Sequence, residues 1–153
     1  MLTVDTARAL AAAGILWEPR AGDRFAIDQP NLSGDVFWIS DLTIEVHHYS
    51  DHTVLGFNGT TEWALDSVGI ERTVWLPRED QLRELIGDRL LGLSVAEDTA
   101  PEASAGGEAG DAARVWRVRY LRDGQERACS AGDVEEAYAA ALLDISNPAP
   151  AAS

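Results

Sequence analysis

The chain has 153 residues, 46% of them apolar, and 12 basic against 26 acidic side chains leave it a net charge of −14 at pH 7. Such a chain can bury a core and is too apolar for wholesale disorder. A field of that sign repels phosphate backbones and anionic lipid, which argues against nucleic acid and membrane surfaces as partners.

All the basic residues are Arg and none is Lys, which excludes a P-loop lysine, a Schiff-base lysine and a Ser–Lys dyad. Cys129 is the single cysteine, so intramolecular disulfides and multi-cysteine zinc or iron–sulfur sites are excluded. In a strand it reads as a small buried hydrophobe. No apolar run approaches the roughly 20 residues a membrane helix needs. Asp5 precedes Arg8 at the start of the chain, without the basic start and apolar core of a signal peptide. The expected location is the cytoplasm, and no cofactor is implied.

Taken in order, Val4 to Ala13 predicts a helix, capped by Thr3 and ended by Gly14. A strand follows at Arg24 to Asp28, then a turn-rich connection over Gln29 to Gly34. Strands are predicted at Val36 to Ser40, Leu42 to Tyr49 and Thr53 to Phe57. A turn at Ser50-Asp51 sets Ile44 opposite Phe57 and Val46 opposite Leu55, a self-consistent apolar face. The other face carries Glu45, His47, Tyr49 and His52. Asn58-Gly59 suits a second hairpin turn or the approach to a helix over 60–66, and Ala64-Leu65 favour the helix.

Trp75-Leu76 reads as a last short strand of this half, and Pro77 opens a helix at its first position. Leu82, Leu85 and Ile86 give that helix its stripe, with a further turn past Gly87 to Leu91. Glu97 to Ala113 holds no aromatic or large apolar residue and reads as a disordered acidic loop. A second hairpin, Arg114 to Leu121 and Gln125 to Ser130, turns at Asp123-Gly124 and puts Trp116, Val118 and Tyr120 on one core face. The last helix starts on a capping-box pattern of Asp133 with Glu136 and carries Val134, Ala137, Tyr138, Ala141, Leu142 and Ile145 at helical spacing. Asn147-Pro148 stops it, and residues 148–153 form a flexible tail. The expected fold is α+β: one domain over residues 1–147, a small sandwich of antiparallel sheet built from two hairpins with helices packed on it.

Three stretches, ISDLTIEVH, LGFNGTTEWALDSV and WLPREDQLRELIG, together with the DVEEAYAAALLDI helix, resemble a family of small bacterial proteins labelled pilus assembly protein CpaE. The resemblance covers most of the chain outside the acidic loop and tail, and implies a part in pilus or secretion assembly. The better-known proteins of that name are MinD-like ATPases, whose glycine-rich phosphate loop and lysine are absent from this sequence. The second half (WLPREDQLRELIG, a hairpin, then DVEEAYAAALL) is also similar to small α/β/α sandwich modules of phage-related proteins, a likeness without a functional motif.

Candidate chemistry is sparse. Glu45, His47 and His52 project from one hairpin face, and two imidazoles with a carboxylate could bind zinc or iron with positions left open. A polar outer face is the plainer reading, and no metal is expected. His48 falls on the core side as a partly buried, hydrogen-bonded side chain. Glu62 and Asp66 would share a helical face, as paired carboxylates or as an ordinary solvated surface. No catalytic residue is assigned: no Ser sits in a G-x-S-x-G elbow and no dinucleotide fingerprint is present.

Arg114, Arg117, Arg119, Arg122 and Arg127 gather on the second hairpin, a local basic patch on an acidic chain, with Arg117 and Arg119 on its non-core face. The acidic loop before it could fold over that face and shield it, or act as a spacer beside a solvated strand. Trp38 and Trp63 are core residues or, with Phe37, the edge of an exposed groove. Val36 to Ile39 is apolar on both faces, so that strand is central or meets another chain, a homodimer included.

The sequence therefore reads as a non-enzymatic interaction or accessory domain with a protein partner, in a pilus or secretion context by resemblance. Its alternatives are a metal-dependent or acid–base enzyme using Glu45, His47 and His52, and a regulatory nucleic-acid binder using the arginine hairpin.

Overall fold

Thr3 accepts a hydrogen bond from the Thr6 amide and so caps α1 (Val4–Ala12), which Gly14 ends at a φ of +91°. The computed structural model describes residues 1–32, 34–40, 43–57, 67–97 and 114–147. The helix expected over 60–66, Trp63, the acidic loop from residue 98 and the tail lie outside the described residues. The chain divides into two compact units, Thr3–Arg78 and Glu79–Ser153 with Met1–Leu2.

Among its described residues the Thr3–Arg78 unit holds α1 and six strands: β1 (Arg24–Ile27), β2 (Val36–Trp38), β3 (Ile44–His48), β4 (Thr53–Phe57), β5 (Ser67–Gly69) and β6 (Thr73–Leu76). They form two antiparallel sheets ordered β2-β1-β6 and β3-β4-β5. Ile44 pairs with Phe57 and Val46 with Leu55, the register expected from the apolar alternation. Phe25, Ile27, Ile39, Ile44, Leu55 and Val68 draw on both sheets for one core. Phe25 stacks on Phe37 at 5.6 Å between centroids, and Phe37 meets Phe57 edge-on at 6.0 Å.

The apolar Val36 to Ile39 stretch is not a central strand. β1 takes the middle of that sheet and is buried throughout, leaving β2 at an edge. Asp23 is buried because its carboxylate accepts from the Trp17 indole at 2.9 Å and the Arg20 amide at 3.0 Å, with the Arg78 guanidinium at 3.5 Å.

The Glu79–Ser153 unit comprises α2 (Glu79–Ile86), a 3-10 turn (Gly87–Arg89), β7 (Leu90–Glu97), β8 (Arg114–Arg122), β9 (Gln125–Ala131) and α3 (Val134–Ser146). The strands form an antiparallel sheet ordered β7-β8-β9. Asp123 and Gly124 sit at φ +52° and +75°, the left-handed pair of a two-residue hairpin turn. α3 lies against β8 and β9, and α2 lies against α3. Leu82, Ile86, Val118, Tyr120, Tyr138 and Leu142 make the core. The Asp133 side chain accepts from the Glu135 and Glu136 amides and caps α3.

Here the structure corrects one expectation: the helix does not continue to Leu91. Gly87 takes φ +59° and ends α2, and the chain enters β7, a strand absent from the sequence reading. The observed class is α+β, with three antiparallel three-stranded sheets and three helices among the described residues.

The ionisable groups around α3 set a pH window. The Tyr120 hydroxyl, then the Arg122 guanidinium, hold Asp144 below the usual carboxylate range against the effect of burial. Burial raises Asp133, but the N-terminal ammonium of Met1 and the α3 amides outweigh it and the net direction is down. Burial, chiefly, pushes the Tyr120 and Tyr138 hydroxyls up. Carboxylates with folded pKa values below an unfolded value of about 3.9 contribute stability that is present above it and lost as pH falls through the folded values. Tyrosines raised above an unfolded value of about 10 contribute stability that is present below it and lost as pH rises beyond it. Urea midpoints from about pH 3 to 11 should therefore show a plateau that falls below about pH 4 and above about pH 10. Asp144→Asn should flatten the acid limb.

Candidate interaction surface

β8 is the middle strand, so its alternate side chains divide between a helix-covered face and an open one. Val118 and Tyr120 are buried on the α3 side, where the Tyr120 hydroxyl donates to Asp144 Oδ2 at 2.7 Å. Trp116 shares that side by alternation, while Arg117 and Arg119 point the other way and are exposed. The ladder fixes the neighbours on β7: Leu93 lies opposite Val118, Val95 opposite Trp116, Gly92 opposite Arg119 and Ser94 opposite Arg117.

The two faces of β7 thus differ in kind. On the α3 side Leu93 is 38% and Val95 53% exposed, and Leu91, at the register shift between Leu90 and Gly92, is 40% exposed. The other side carries only Gly92, Ser94 and Ala96. A Cβ on Gly92 would stand 3.3 Å from Arg119 Nη2, so the guanidinium leans over the edge strand where there is no side chain. Arg119 Nη1 also donates to Glu126 Oε1 at 3.0 Å, an exposed pair contributing under about 1 kcal/mol. Arg117 Nε donates weakly to Ser130 Oγ at 3.4 Å.

The five hairpin arginines do not form one patch. Arg122 Nη1 donates to Asp144 Oδ1 at 2.6 Å and its Nη2 to the Asn147 carbonyl at 2.8 Å. Arg127 Nη1 stands 3.7 Å from Asp144 Oδ2. Arg122 and Arg127 therefore face α3 and hold its C-terminal end, beside the Tyr120 hydroxyl and Cys129, whose Sγ is 3.3 Å from that hydroxyl. Arg114 is exposed at the start of β8, opposite Glu97 in the ladder. Arg117 and Arg119 are left as the pair on the open face.

The β3–β4 hairpin brings Glu45 and His47 together, with Oε2 and Nε2 3.8 Å apart, and the imidazole lies over Gly56, where a Cβ would meet it at 2.8 Å. His52 is not part of that group: it stacks on Tyr49 at 4.9 Å and its Nδ1 is 2.5 Å from Asp51 Oδ1. Among the described residues no three His, Cys, Asp or Glu side chains converge on a metal position. His48, expected to be partly buried, is exposed at the strand end with Nδ1 3.2 Å from Thr53 Oγ1. Trp38 is 51% exposed on edge strand β2, with the Arg24 guanidinium 5.6 Å from its ring.

The strip missed in the sequence is Leu91, Leu93 and Val95. Its signal is present there as a period of two, with Gly92, Ser94 and Ala96 in the places a surface strand normally gives to charged residues. No family model, curated protein or solved structure gives a significant match to this chain. No described helix is long and apolar enough to cross a membrane.

Proposed function

We propose that this chain is a non-enzymatic interaction or accessory domain that acts in the cytoplasm through protein–protein contact. The observation that carries this reading is the β7 strip. Among the described residues β7 is an edge strand, whose outer backbone groups are open to pairing, and three of its large apolar side chains are exposed beside them. Soluble proteins normally guard such an edge with lysine, proline or a covering element. β7 has one charged residue, Glu97 at its end, and no proline. The resemblance to the small proteins labelled pilus assembly protein CpaE supplies pilus or secretion assembly as the context.

The test is capture by tagged full-length protein from its native cytosol, run beside a Leu93→Ser/Val95→Ser variant whose circular dichroism matches the parent. Pilus or secretion components should be enriched by the parent and lost from the variant. Identical recoveries from the two proteins would remove β7 as the contact surface, and a clean bait in both would remove the adaptor reading.

A further inference from the structure

We propose that the occupant of β7 is an extended partner segment that adds as a fourth strand and alternates apolar with acidic residues. This rests on the interaction reading above and specifies its partner. An added strand sends alternate side chains to the two faces of the sheet. On the α3 side they meet Leu93 and Val95, which reward apolar groups. On the open side they meet Gly92, Ser94 and Ala96, too small to pack against, with Arg117 and Arg119 one strand further in.

The arginines are within reach of that face. The added strand would lie about 10 Å from β8, two strand spacings, a gap that an arginine and a glutamate side chain span together. Arg119 already extends over Gly92, and its present partner Glu126 is solvent-exposed and exchangeable. Arg117 has no ion pair among the described residues. Carboxylates on the open face of the new strand would complete both guanidinium groups, and charge complementarity identifies the partner as acidic there.

Other occupants fit less well. A second copy paired through β7 in the register that keeps both apolar faces on one side would set Gly92, Ser94 and Ala96 against themselves. Both arginine pairs would then be unmet, between two chains that each carry −14. Nucleic acid leaves Leu93 and Val95 without apolar company. The chain's own residues 98–113 are acidic but contain no large apolar residue to alternate with. The net charge of the whole protein does not bar an acidic segment, since beyond about 8 Å it is screened at physiological salt while the two arginines act at contact distance.

The experiment uses full-length protein and three fluorescein-labelled octapeptides: one alternating valine with glutamate, one alternating valine with lysine, and one with the valines and glutamates in blocks. Anisotropy should show saturable binding of the alternating glutamate peptide alone, weakening with added salt. Hydrogen exchange should show new protection at β7 amides. Arg117→Ala/Arg119→Ala, an exposed pair of substitutions, should weaken it about tenfold or more, and Val95→Lys should abolish it.

Equal binding of the lysine or blocked peptide, or no change in the arginine variant, overturns the acidic specification and leaves the β7 interaction reading in place. A concentration-dependent dimer in sedimentation that Val95→Lys dissolves, with no peptide bound, assigns β7 to a second copy and overturns the inference. No binding by a monomer overturns it as well. The adaptor reading is judged separately, by the capture comparison, whose variant leaves the arginines intact.

Discussion

Asp144→Ala is expected to lower the stability of the Glu79–Ser153 unit by about 2 kcal/mol, the cost of removing charge-assisted hydrogen bonds from the poorly solvated Arg122 guanidinium and the Tyr120 hydroxyl. Asp144 sits in the last turn of α3, where a carboxylate works against the helix dipole and no basic residue of the helix offsets it. It is tolerated because the hairpin supplies the compensation. The Arg122 side chain is only 10% exposed and gives one arm to Asp144 and the other to the Asn147 carbonyl, one of the acceptors a helix end leaves open. Removing the carboxylate leaves Arg122 with the Asn147 carbonyl and the exposed Asp123 carboxylate at 3.5 Å, and leaves the buried Tyr120 hydroxyl with the weak sulfur partner of Cys129. Tyr120→Phe removes the hydrogen bond to Asp144 and the weak one with Cys129, leaves Asp144 paired with Arg122, and should cost about 1 kcal/mol. A double-mutant cycle between Arg122 and Asp144 should return a coupling above about 1 kcal/mol. Urea unfolding, with amide exchange in α3, β8 and β9, measures all three. A loss under about 1 kcal/mol for Asp144→Ala would mean that water replaces the carboxylate and that the cluster does not hold the helix.

That cluster also changes what the arginines can do. Five guanidinium groups along one hairpin suggest a binding patch, but two of them are committed to α3 and one stands at the strand's start. Two remain on the open face, too few to hold a polyanion against a chain of net charge −14. They do suit a short acidic segment whose main affinity comes from backbone pairing and from Leu93 and Val95. The geometry therefore moves the candidate surface from the hairpin alone to the β7 edge, with the arginines as its specificity.

Much of this fold was legible because its information is local. Ser50-Asp51 and Asp123-Gly124 fix the two hairpins, and alternation then fixes which side chains share a face. Asp133 and the Val134 to Ile145 periodicity define α3 without help from the rest of the chain. β7 was not legible in that way. Its Leu90-Leu91 start continues the stripe of α2, and Gly92, Ser94 and Ala96 have weak strand propensity; only the ladder to β8, across the intervening acidic segment, selects the extended form. β2 misled for a related reason. Both its faces are apolar, yet it is an edge strand, with Phe37 turned to the core and Trp38 turned out beside the Arg24 guanidinium. The arginine cluster was visible as composition, and its division depended on Asp144, a helix residue distant in sequence that no spacing rule ties to Arg122 or Arg127.

Phe25→Ala should be the most damaging single substitution in the Thr3–Arg78 unit, at about 3–5 kcal/mol. Phe25 is fully buried in β1, a middle strand buried along its whole length. Its ring meets Phe37 at 5.6 Å and Trp17 at 6.0 Å, and Phe37 in turn meets Phe57 of β4. The phenyl group is thus the start of a contact path that runs from the β2-β1-β6 sheet to the β3-β4-β5 sheet, and nothing small can fill its place from one side alone. Deleting it removes the transfer free energy of the ring, the aromatic pair terms of about 0.5–1.5 kcal/mol, and leaves a cavity whose rigid strand walls resist collapse. Phe25→Leu keeps most of the volume and should cost less than half as much. Against a typical total of about 5–15 kcal/mol for a domain, the alanine variant should show loss of amide protection across β1, β2 and β6, and quenching or shift of Trp17 fluorescence. Equal costs for leucine and alanine would place the stabilisation in ring stacking rather than in volume; a cost near 1 kcal/mol for alanine would mean that the two sheets close over the gap, and that the aromatic path is not what joins them.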